Sequence, residues 1–157
     1  METCTVHRLR KKESTEMCQE YFEIMEGNKY RVDVRRIKVY KVVEVNESSN
    51  GAVTYHSPIL VGNRFYQKTI GSRGTIMEYS IRGFHHSDFE TTEGMYVYVN
   101  SDDAHRFADL LSNNSGEKFA VLQCTLPVGS HMIFGFDADC AIILRVDRLY
   151  CSGVHKP

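Results

Sequence analysis

Tyr30-Arg31-Val32-Asp33-Val34-Arg35-Arg36-Ile37-Lys38-Val39-Tyr40-Lys41-Val42-Val43-Glu44-Val45 is the most strand-like run in the chain. Tyr30, Val32 and Val34 alternate with Arg31, Asp33 and Arg35, the period of a strand with one face buried. After Arg35-Arg36 the phase slips, and Ile37, Val39, Val43 and Val45 take over the apolar positions. A one-residue slip exchanges the two faces, so the run holds either a bulge or the join between two strands. Glu47-Ser48-Ser49-Asn50-Gly51 follows as a turn, because Asn-Gly readily accepts positive φ. Val53-Thr54-Tyr55 then resumes an extended course, which Pro58 ends or marks as a sheet edge.

On the N-terminal side, Arg8, Arg10, Lys11 and Lys12 lie in a polar stretch that reads as a solvated, flexible terminus over residues 1–13. Met17, Tyr21, Ile24 and Met25 recur at helical spacing and predict a short helix over 14–26. Ser14 or Thr15 would cap it, and Gly27-Asn28 would stop it. On the C-terminal side, Ile59-Leu60-Val61 and Thr75–Tyr79 are short strand candidates around the turn chemistry of Gly71-Ser72-Arg73-Gly74. Residues 83–94 have no clean period and read as a loop. Met95–Val99 is a strand with Tyr96 and Tyr98 on one face and Met95, Val97 and Val99 on the other. Ser101-Asp102-Asp103 opens a helix over 102–112, with acidic residues where the helix dipole favours them. Strands follow at Phe119–Leu122, Ile133-Phe134 and Cys140–Val146, and residues 152–157 read as a frayed tail.

Strand follows strand for most of the length, so most pairings should be antiparallel. The expectation is a single α+β domain over 1–157. Its core is a mainly antiparallel twisted sheet with about two helices, a half-barrel or a split into two sheets being the alternatives. The 157 residues are 42% hydrophobic and 25% charged, which fits a globular domain that needs neither metal nor disulfide to fold. The net charge of −1 argues against a general nucleic-acid coat or a polybasic membrane binder. Five widely spaced cysteines with no C-x-x-C pair suggest a reducing compartment. With no signal-peptide pattern and no apolar run long enough to span a bilayer, the expected setting is intracellular, cytoplasmic or nuclear.

The polar cluster Tyr79–Asp88 is the first candidate site, since it gathers Arg82, His85, His86 and Asp88 around Gly83. Loops on a rigid sheet often carry function. Adjacent histidines in an extended segment point to opposite sides, and no H-x-H, H-x-x-x-H or H-E-x-x-H spacing occurs, so no metal is expected. His85 is read as a tie that holds its loop by a hydrogen bond. No G-x-S-x-G elbow or phosphate loop is present. Cys124 reads as a strand cysteine without a base beside it. The Tyr96/Tyr98 face could stack on a base or nicotinamide ring, or form a core face.

Two resemblances follow from these motifs. Tyr40-Lys41-Val42-Val43, Gly83-Phe84-His85, Ala104 on a helix, Pro127-x-Gly129 and a late apolar strand resemble small uncharacterised proteins of bacteriophages and large DNA viruses. That resemblance implies a viral origin and no particular activity. Tyr55-His56-Ser57, then Gly94-Met95-Tyr96-Val97-Tyr98 ahead of Ala104-x-x-Phe107-Ala108, resemble the ADP-ribosyltransferase fold. There the resemblance implies NAD as cofactor, His56 on the ribose and Tyr96 against nicotinamide. The glutamate of that fold has no counterpart, because residues 118–157 contain none.

Without a complete catalytic constellation, the leading expectation is a non-enzymatic interaction protein with no cofactor. Its binding surface would be formed by Arg82, His85, His86, Asp88, Tyr96 and Tyr98. The partner would be a protein or a second copy, rather than nucleic acid or membrane. The alternative is an ADP-ribosyltransferase-like or other nucleotide-binding enzyme built on His56 and Tyr96.

Overall fold

A computed structural model describes residues 29–31, 36–58, 77–87, 94–137 and 139–157. The expected helix over 14–26, the strand at 59–61, the basic stretch at 8–12 and the candidate Asp88 lie outside the described residues. Strands β1 (Lys29–Arg31), β2 (Ile37–Glu47), β3 (Val53–His56), β4 (Glu78–Tyr79), β5 (Gly83–His86) and β6 (Met95–Tyr98) precede helix α1 (Ser101–Ser115). Strands β7 (Phe119–Leu126), β8 (His131–Phe136), β9 (Ile142–Val146) and β10 (Arg148–His155) follow it. They form one open antiparallel sheet in the order β1-β8-β9-β6-β2-β7-β10-β5, with β3 on the end of β2 and β4 on β3.

The expected sheet-dominated fold is therefore observed, as one sheet rather than two. Among the described residues there is one helix, not two. The phase slip after Arg35 marks a join between strands. The chain on its N-terminal side pairs with β8, whereas β2 pairs with β7 along Ile37–Glu44 in the middle of the sheet. The Asn50-Gly51 turn closes the β2–β3 hairpin with Gly51 at φ 86.

Two expectations are corrected. Part of the stretch read as loop, Gly83–His86, is a strand, because Leu149 and its neighbours on β10 supply its ladder. The tail read as frayed is also a strand: β10 runs to His155, which pairs with Val121 after a bulge between Cys151 and Gly153.

Alternation along the strands sorts the core into two faces. Val39, Val43, Met95, Val97, Leu122, Cys124, Leu144, Leu149 and Cys151 pack on one face. Val42, Tyr96, Tyr98, Val121 and Ile143 pack on the other, against Ala104, Ala108 and Leu111 of α1. The helix is fixed at its start by Asn100, whose side chain accepts from the Asp102 and Asp103 amides, and at its end by Gly116 at φ 77. It covers only part of its face. Toward β5 that face continues as a cross-strand row, Lys38–Thr125–Tyr150–Phe84, that no described element covers.

Candidate functional site

That row ends at an edge. β5 is the outermost strand on its side of the sheet among the described residues. Its residues alternate: His85 turns inward, and Phe84 and His86 are exposed. Phe84 is 73% exposed, and its ring lies 4.7 Å from that of Tyr150. The rings meet at a tilt of 54°, and an exposed aromatic packed on a second aromatic makes an apolar shelf. Beside it is a groove of about 360 Å³ lined by Arg36, Phe84, Thr125, Pro127 and Tyr150. Arg148 and His86 flank Phe84 on the other side, next to Pro127. Among the described residues these linings hold two arginines, Arg36 and Arg148, and no acidic side chain.

The ladder leaves backbone groups facing outward. The Ser87 amide donates to the Asp147 carbonyl at 2.8 Å. Bonded and non-bonded pairs alternate in an antiparallel ladder, so the N–H and C=O groups of Phe84 and His86 point away from β10. The turn before β5 places Arg82 in the left-handed region at φ 62, with its amide donating to the Cys151 carbonyl at 2.7 Å. His85 Nε2 takes the Ser80 amide at 3.1 Å, so it does tie down the segment that precedes it.

Beneath the shelf, on the opposite face of the sheet, lies a second cluster. Cys124 and Cys151 sit directly across from one another on β7 and β10. Both are fully buried and free, and their Sγ atoms are 3.5 Å apart. Cys140, by contrast, is disulfide-bonded, which departs from the expectation of reduced cysteines throughout. Lys41 is 1% exposed and holds its Nζ 5.6 Å from the centre of the Tyr79 ring. Burial lowers its pKa to about 8, while the charges of Cys124 and Cys151 pull the other way. The two thiols are driven apart. The hydrogen bond from Cys124 and the nearby His85 and Lys41 lower the Cys151 pKa to about 6 against its burial, whereas Cys124 is raised. Burial alone would lower the His85 pKa, but its hydrogen bond and charge interaction with Cys151 raise it.

The residues singled out from sequence are scattered by the fold. Arg82, His85 and His86 do belong to the β5 edge. Tyr96 and Tyr98 are each 1% exposed beneath α1, and the Tyr98 hydroxyl donates to Asp137 at 3.0 Å. They form a core face, and a ring could stack on either only if the helix moved. His56 stands on β3, bonded to Asn46. Among the described residues no group of His, Cys, Asp and Glu is arranged to hold a metal, and no helix is long and apolar enough to cross a membrane.

Tyr150 carries no signal in the sequence; Cys124 reads there only as a strand cysteine without a base, and Phe84 and Lys41 enter only through resemblance motifs. Lys41 left a signal, since it occupies the Ile37/Val39/Val43 parity of β2, a charged residue in a core register. Compared with known protein families, with characterised proteins and with solved structures, the chain matches none.

Proposed function

We propose that the chain is an interaction protein whose β5–β10 edge takes up an extended, acidic segment of a partner protein. Phe84 carries this reading: a large aromatic, 73% exposed on an edge strand, held in place by Tyr150. Isolated exposed apolar residues are ordinary. Here the residue adjoins a groove, outward-facing backbone groups and a rim of Arg36 and Arg148. Those are the parts of strand addition: main-chain hydrogen bonds supply affinity, and side-chain pockets supply selection. The cationic rim selects acidic partners and speeds their encounter.

The test is selection of a displayed random dodecapeptide library on the purified chain, with Phe84→Ser as the counter-selection. The expected peptides combine Asp or Glu with an aromatic residue. They should lose about thirtyfold or more in affinity on Phe84→Ser, the scale of a central aromatic anchor. Arg36→Glu and Arg148→Glu should weaken them further, and salt should do the same. No enrichment, or enrichment indifferent to Phe84→Ser, overturns the proposal. So does a dimer in sedimentation that Phe84→Ser dissolves, since the edge would then belong to a second copy.

A further inference from the structure

The thiol cluster behind the shelf has a composition that packing alone does not explain. A methionine at position 41 would fill the same space without the cost of a buried ammonium. Instead a buried Lys41 sits on the same face of β2 as Val39, the cross-strand partner of Cys124, and the two thiols are held by β7 and β10 in direct register, 3.5 Å apart, with His85 on the neighbouring β5. We propose that Cys124 and Cys151 are a dithiol site oxidised reversibly by a hydroperoxide, Cys151 attacking and Cys124 resolving. Lys41 and His85 are its positioning residues: they hold the attacking sulfur ionised and aimed.

The chemistry balances within the cluster. The Cys151 thiolate attacks one oxygen of hydrogen peroxide, the O–O bond breaks, and Cys151 becomes a sulfenic acid as hydroxide leaves. Hydroxide takes a proton from the Lys41 ammonium, giving water and a neutral amine. Cys124 sulfur then attacks the sulfenic sulfur, its thiol proton leaves with the hydroxyl as a second water, and the disulfide closes. Peroxide is reduced by two electrons, and the two sulfurs supply them. Thiolate, ammonium and thiol carry no net charge together, and neither do disulfide and amine. The buried site therefore never holds an uncompensated ion, the main penalty in a core.

The geometry agrees with this. A disulfide needs sulfurs at about 2.05 Å. Opposite residues of adjacent strands can close the remaining gap by side-chain rotation. Cys151 lies one strand in from the edge, with Gly83 directly across from it on β5. Its full burial shuts out bulky disulfide reagents, and hydrogen peroxide reaches it when the β5 edge opens locally.

The test is peptide mapping by mass spectrometry of the purified full chain after a short exposure to hydrogen peroxide at pH 7. The expected product is a Cys124–Cys151 cross-link that dithiothreitol reverses. In Cys124→Ala, Cys151 should be trapped by dimedone as a sulfenic acid; in Cys151→Ala, Cys124 should stay unmodified at the same dose. Lys41→Met, checked for its fold by circular dichroism, should slow Cys151 oxidation at pH 5 by about threefold to tenfold. There the thiolate fraction follows the thiol pKa directly and nucleophilicity offsets part of the loss. No cross-link in the wild-type chain overturns the proposal. Equal reactivity of Cys124 in Cys151→Ala, or Cys151 oxidation unaltered in folded Lys41→Met, overturns the assigned roles.

Discussion

Lys41 shows how a single residue can be legible while its meaning is not. The alternation of β2 places it between Val39 and Val43 on the inward face, and that parity can be read from the sequence. What surrounds it cannot. Cys124 and Cys151 are 27 residues apart in the chain, and only the β7–β10 register brings them together. Short-range pattern carries no information about such a pairing. Replacing Lys41 by Met should cost about 1 kcal/mol at pH 7, because the relief of a desolvated ammonium is outweighed by the loss of the counter-charge beside Cys151. Urea unfolding measures this, and a loss of several kcal/mol would show that the ammonium is structurally required. The lowered Cys151 pKa makes a pH prediction with a definite sign. The Cys151 pKa falls from its ordinary 9.0 to about 6 on folding. Its ionisation therefore adds stability in full above the unfolded value, and that addition is lost as pH falls through the folded value. The stability difference between wild type and Cys151→Ala should grow from pH 6 to pH 9 in urea titrations. A difference independent of pH would mean that Cys151 stays a thiol.

Among the elements, α1 was the easiest to read, because its caps and its apolar stripe are local. Asn100 accepts the Asp102 amide at 2.8 Å, so Asn100→Ala should cost about 1 kcal/mol in thermal unfolding. β5 was read as a loop for the opposite reason. Gly83-Phe84-His85-His86 is too short to show a period, and its extended course comes from β10 beside it. The end of β10 was read as frayed because its partner Val121 is remote in sequence. That end also meets the helix. His105 of α1 lies 2.9 Å from His155 between ring nitrogens, and the Tyr40 ring packs edge-on to His155. Burial and His155 lower the His105 pKa, with Asp109 and Asp102 opposing them. A histidine whose cation is disfavoured in the folded state binds fewer protons there than when unfolded. Its contact is fully present above the ordinary histidine value and weakens as pH falls below it. The protection factors of the α1 amides, taken relative to intrinsic exchange at each pH, should fall between pH 7 and pH 5, and His105→Gln should flatten that slope.

For the whole molecule, the antiparallel sheet and its two-faced core follow from the alternation of apolar residues in 37–45 and 95–98. The proposed binding edge does not, because it depends on where the helix stops covering the sheet. Among the described residues α1 packs over the Val42 half of its face and not over the Lys38–Phe84 half, a consequence of topology rather than of any motif. Since Phe84 is mostly solvated, Phe84→Ser should leave the thermal midpoint within a few degrees of wild type while removing partner binding. The most direct test of the account is amide chemical-shift and exchange mapping of the nitrogen-15-labelled chain with an acidic peptide enriched by selection. The predicted result is protection of the Phe84 and His86 amides with shifts along Arg36, Tyr150 and Arg148. Perturbation centred on α1 and His105, with β5 unmoved, would contradict it.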